Sequence, residues 1–114
     1  MGVREQRAED DAAARLAANV VSYALGVPEA EIIDPGRGSA GAAFARQVAM
    51  YLCHVGFAWS LQRVAVAFGR DRSTVSHACH VIENRRDKPY FDVWIGALEA
   101  MLHSAPEQRR AASA

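Results

Sequence analysis

Apolar residues recur at helical spacing along most of this chain, and the pattern is densest between Ser60 and Glu83. Leu61, Val64, Ala65 and Phe68 fall at i, i+3, i+4 and i+7. Val75, Ala78, Cys79 and Ile82 repeat that spacing. Each set draws one apolar stripe along a 3.6-residue helix, and each stripe needs a surface to bury against. Gly69-Arg70-Asp71-Arg72 lies between them, with a glycine able to take a positive φ. Ser60 is placed to cap the first helix, and Asp71 or Ser73 the second. Two short amphipathic helices joined by a tight turn make a helix-turn-helix, whose second helix can enter a DNA major groove.

The flanking pattern is helical as well. A helix is expected from about residue 11 to Leu25, burying Leu16, Val20, Tyr23 and Val27, with Gly26 and Pro28 stopping it. Residues 28–33 suit one short helical turn, and 34–39 a loop. A third helix spans roughly residues 41–55 on the stripe Val48, Tyr51, Leu52, Val55. Phe57 and Trp59 fit core plugs better than base-stacking platforms. A last amphipathic helix carries Phe91, Trp94, Ile95, Leu98, Met101 and Leu102. The expected fold is all-α: one compact bundle of about five to six helices over residues 11–103. A flexible N-terminus (1–10) and a disordered tail (104–114) flank it.

Composition narrows the function. No apolar run approaches the ~20 residues a membrane span needs, and residues 1–5 lack a signal-peptide core. Cys53 and Cys79 each fall in helical register and read as small buried side chains of a reducing cytoplasm. They do not converge with His54, His77 and His80 on a metal, no Gly-rich phosphate cradle is present, and Ser73 has no triad partners. The expectation is a non-enzymatic protein without cofactor or metal.

The formal net charge is zero, but it is unevenly distributed. Residues 1–34 hold three arginines against seven carboxylates, a net of −4. Residues 35–86 hold seven arginines against two, a net of +5, and residues 87–114 three basic groups against four acidic, a net of −1. The positive excess coincides with the helix-turn-helix, and arginine suits bidentate contact with phosphate and guanine. Arg72, Ser73, Thr74, Ser76, His77 and His80 lie off the second stripe, near a helix N-terminus that favours anions. A solvated polar face is the bland alternative.

The order Ser60-Leu61, Phe68-Gly69, Arg70-Asp71, Ser73-Thr74-Val75, His77-Ala78 resembles the signature of the C-terminal DNA-binding domain of DnaA, the bacterial replication initiator. Upstream, Ala45-Arg46-Gln47-Val48-Ala49-Met50-Tyr51-Leu52 is similar to that family's second block, at about the usual distance. The resemblance covers roughly residues 12–86 and links two motifs in order. It implies base contacts by Asp71, Arg72, Ser73 and Thr74. It implies phosphate or groove contacts by Arg46, Gln47, Ser60, Leu61, Arg70, Ser76, His77 and His80. It also implies a minor-groove contact by Arg37, for which a plain linker is an equal reading. Arg85 and Arg86 either reach phosphates or cap their helix. Arg72 departs from the histidine usual in the family and favours guanine through O6 and N7.

The ATPase domain that accompanies this module in DnaA is not in these residues, so neither ATP binding nor filament formation is expected. The reading is a cytoplasmic, nucleoid-associated monomer on double-stranded DNA that regulates transcription. Small proteins of this kind resemble the DNA-binding half of activators of gene transfer agent genes. The resemblance implies RNA polymerase or a sigma-factor-like protein as partner. The alternatives are a replication modulator competing for DnaA-type sites and a protein-interaction module without DNA binding.

Overall fold

The computed structural model describes the backbone of residues 2–34 and 39–113, with side chains as far as residue 104. Six α-helices follow in order: α1 (Val3–Leu25), α2 (Glu29–Ile33), α3 (Ala40–Tyr51), α4 (Leu61–Phe68), α5 (Arg72–Arg85) and α6 (Pro89–Ser113). No strand occurs among the described residues, so the all-α expectation holds. None of these helices is long and apolar enough to cross a membrane.

The core is one cluster in which Val21, Ile32, Val48, Leu52, Cys53, Val64, Val75, Ile82, Ile95 and Leu102 are fully buried. Burying a valine, leucine or isoleucine contributes roughly 1.5–3 kcal/mol relative to exposure. The α3–α5 and α4–α5 pairings therefore hold α5 by its whole apolar stripe. Trp59 is buried and Phe57 half-buried, as the core-plug reading requires.

Four expectations change. Helix α1 starts at Val3, not near residue 11. Arg, Glu, Gln and Ala dominate this segment and favour helix. Glu5 accepts from the Gly2 N–H at 2.9 Å, and Arg7 pairs with Asp11 at 3.6 Å. The buried side of α1 also differs: it is the alanine-rich set Ala14, Ala17 and Ala18 with Val20 and Val21, while Tyr23 is 83% exposed. A π-helical turn, Leu52–Gly56, replaces the end of the expected third helix. The wider turn rotates Val55 off the α3 stripe and leaves it exposed. Trp59 is then reached through Ala58, which takes a positive φ of 58°. Finally, Met101 faces outward from α6 rather than joining its buried stripe.

Candidate nucleic-acid interface

Local chemistry fixes the helix-turn-helix. Ser60 Oγ accepts from the Arg63 N–H at 3.1 Å, which caps α4. Gly69 ends α4 with φ 62°, where L side chains are strained. Its N–H reaches the Val66 carbonyl at 3.3 Å, and the Arg70 N–H reaches the Ala65 carbonyl at 2.9 Å. Asp71 is the N-cap of α5 by position, yet its side chain makes no capping bond. Its carboxylate thus stands exposed at the N-terminal tip of α5.

From that tip the two faces of α5 separate. Val75, Ala78, Cys79 and Ile82 are buried. Asp71, Arg72, Ser73, Thr74, Ser76, His77 and His80 are all exposed, which brings seven of the residues singled out from the sequence onto one surface. Arg70 is half-buried at the turn. Leu61 is half-buried and lines an open cleft of about 240 Å³ with Ser76, Cys79, His80, Glu83, Tyr51, His54 and Val55. Gln47 is half-buried on α3. Arg37 lies outside the described residues.

Arg46 is held inside the domain. It is 9% exposed. Its Nε donates to the Ile32 carbonyl at 2.9 Å, and Nη2 donates to the carbonyls of Glu31 at 2.8 Å and Asp34 at 3.2 Å. These carbonyls belong to the C-terminal end of α2, where helical acceptors lack intrahelical donors. A guanidinium satisfies several at once because its donors form a planar fork. Arg46 therefore clamps α2 onto α3. Burial, and then the nearby Arg70, hold its pKa below the ordinary arginine value.

Other arginines of the positive segment also have partners within the domain, though Arg85 is exposed. Arg63 forms a two-pronged pair with Asp10, Nε to Oδ2 at 2.9 Å and Nη2 to Oδ1 at 2.7 Å, and lies 4.5 Å above the Trp59 ring. Arg86 donates to Asp92 at 2.6 Å, to the Tyr51 hydroxyl at 3.1 Å and to Glu99 at 3.1 Å. The Tyr51 hydroxyl in turn donates to Glu83. Burial, followed by that carboxylate, pushes the Tyr51 pKa up to about 12. Arg85 lies over Phe44 and Phe91 at 4.7 and 4.9 Å from the ring centres. Burial pushes the Cys79 thiol up to about 11, and raises Cys53 still further, so neither is poised as a thiolate.

Sequence reasoning passed over the local role of His54. Its Nδ1 lies 2.7 Å from the Trp59 carbonyl, which can only accept, so Nδ1 carries the proton and donates. Nothing in the local sequence signals this, because the π turn brings the two residues together.

A family model for the helix-turn-helix of bacterial DnaA protein matches residues 16–82. No curated protein matches the chain. Among solved structures, a DNA replication initiation factor aligns over 91% of this chain and 32% of its own, with a TM-score of 0.78 and 27% identity. A replication initiator DnaA bound to AMPPCP and single-stranded DNA aligns over 88% of this chain and 30% of its own, with a TM-score of 0.73 and 28% identity. AMPPCP-bound DnaA from Aquifex aeolicus, 24% identical over 91% of this chain and 31% of its own, shares the fold with a TM-score of 0.74. The chain thus spans about a third of the length of these proteins. On the family match, its motifs and its six-helix fold, the chain belongs to the bacterial DnaA helix-turn-helix family.

Proposed function

We propose that this domain binds double-stranded DNA sequence-specifically, with the N-terminal half of α5 in the major groove, and that it regulates transcription. The supporting observation is the exposed surface Asp71, Arg72, Ser73, Thr74, Ser76, His77 and His80, backed by a fully anchored stripe. A rigid helix presenting short polar groups and an arginine at its N-terminus is the geometry of major-groove readout. Asp71 is suited to accept from a cytosine amino group, Arg72 to donate to guanine O6 and N7, and Ser73 and Thr74 to contact thymine methyls or phosphates. The module acts without catalysis: it occupies sites as a monomer and recruits RNA polymerase or a sigma-factor-like partner. A replication modulator that competes for DnaA-type sites shares the same interface.

Selection of bound fragments from sheared genomic DNA by the purified protein tests this reading. A shared motif upstream of genes is the expected result. A motif concentrated at the origin would transfer the role to replication. No enrichment at low salt would defeat DNA reading by this chain.

A further inference from the structure

Helix α6 carries two apolar stripes where a surface helix ordinarily carries one. Phe91, Ile95, Leu98 and Leu102 are buried in the core. On the other side Tyr90, Val93, Ala97, Ala100 and Ser104 follow at alternating intervals of three and four residues, with Met101 beside them. All six are exposed, Tyr90 by 74%, Val93 by 72% and Met101 by 41%. No charged side chain interrupts this face among the described residues. The carboxylates of the same stretch, Asp92 and Glu99, lie off it and pair with Arg86 at 2.6 and 3.1 Å.

Alternating intervals of three and four keep a seam turned toward a second helix. The order of side-chain sizes along this seam is self-complementary. Tyr90 and Val93, both large, stand at its N-terminal end, and Ala97, Ala100 and Ser104, all small, follow. When two such faces meet antiparallel about Ala97, Val93 of one copy lies opposite Ala100 and Met101 of the other, and Tyr90 opposite Ser104. Large side chains then fill the space beside small ones, as close packing requires. A parallel pair would set ring against ring at one end and leave gaps between alanines at the other. Charge selects the same occupant. A nucleic acid or a charged peptide finds no counter-charge here, whereas a second copy brings one uncharged face to another and presses no like charges together.

We propose that the outer face of α6 pairs antiparallel, about a two-fold axis, with α6 of a second copy, and that it does so when two copies lie side by side on DNA. This inference rests on the DNA-binding reading given above. Area sets the condition. The exposed side chains offer on the order of 400 Å² per copy, so a pair buries less than the roughly 1,200 Å² from which stable complexes start. Free copies therefore stay monomeric, and a single site takes one monomer with this face open. Two copies on one duplex meet at an effective concentration of about millimolar, where a contact of this size counts.

The test compares two random-sequence duplexes at low salt by fluorescence anisotropy, with circular dichroism confirming the fold of each variant. One duplex, of about 12 base pairs, has room along its axis for one domain of 39 × 28 × 24 Å, and the other, of about 60, for several. The wild-type chain should bind the short duplex with a simple isotherm and the long one with a sigmoidal isotherm, roughly tenfold or more tighter per site. A Tyr90→Ser/Val93→Ser protein should keep the short-duplex affinity and lose the sigmoid. Under mild oxidation on the long duplex, A97C should form a disulfide-linked dimer and V93C should not, because only residue 97 meets its own copy across an antiparallel axis. Both should stay monomeric without DNA at micromolar concentration. A simple isotherm for the wild-type chain on the long duplex, or an undiminished sigmoid in the double variant, overturns the second copy as occupant and leaves the face to a different protein, with DNA binding intact. Cross-linking of V93C in place of A97C overturns the antiparallel arrangement. Absence of binding to either duplex overturns the DNA reading and this pairing with it.

Discussion

Replacing Arg46 with methionine separates two roles that the sequence alone leaves merged. Methionine retains much of the buried aliphatic stem and removes the guanidinium. Three carbonyls, those of Glu31, Ile32 and Asp34, then lose a charged donor at 2.8–3.2 Å. A hydrogen bond to a charged group contributes roughly 1.5–3 kcal/mol, but water can reach the more open acceptors and replace part of that. The bond to Ile32 is the buried one. The expected loss is therefore about 2–4 kcal/mol, well below the sum of three full bonds. For a domain of this size that corresponds to a fall in Tm of roughly 10 °C. The assays are urea denaturation followed by circular dichroism, and a salt titration of DNA affinity at a temperature where both proteins are folded. A clamp predicts lower stability and an unchanged salt slope. A phosphate contact predicts nearly unchanged stability and a slope shallower by about 0.9. The second pattern would refute the assignment of Arg46 to the end of α2. R46K should resemble R46M in stability, because an ammonium group lacks the planar fork that spans separate carbonyls.

Three further outcomes are expected. R72Q should lose about 1–3 kcal/mol of preference for guanine at one position of the selected site while other positions keep theirs, as read by competition with single-base variants. The Asp10 carboxyl is held below its ordinary 3.8, chiefly by the Arg63 hydrogen bonds, so its contribution is present above that value and is lost as the pH falls through the folded-state pKa. D10N should accordingly cost about 1 kcal/mol near neutrality, and the difference from wild type in urea should shrink as the pH falls below 3.8. In a spectrophotometric titration of the three tyrosines, one should ionise late, near 12, and that step should be missing from Y51F.

Period-3.6 patterning makes the helices and the helix-turn-helix legible, because α4 and α5 are amphipathic, with Gly69 closing α4 and Asp71 opening α5. Two kinds of feature are not legible. One is a change of helical pitch: the π turn at Leu52–Gly56 leaves no local signature, so regular spacing puts Val55 on a stripe from which the wider turn removes it. The other is the fate of charge. Asp10 and Arg63 meet across 53 residues, and Arg86 reaches Tyr51 across 35. Such pairings depend on tertiary packing, so a tally of arginines overstates the charge available to DNA. Tyr23 shows the converse case, since α1 turns a seam of small alanines inward and leaves the aromatic ring outside.

The central claim is that the outer face of α5 reads duplex DNA, and the most direct measurement is an amide and side-chain NMR titration of the full chain with its selected duplex. The expected shifts concentrate on residues 70–80, with Leu61 at the cleft edge, and leave the Arg46 guanidinium and the outer face of α6 at Tyr90 and Val93 unmoved. Shifts centred on Tyr90 and Val93, with Arg72, Ser73 and His77 unchanged, would contradict it.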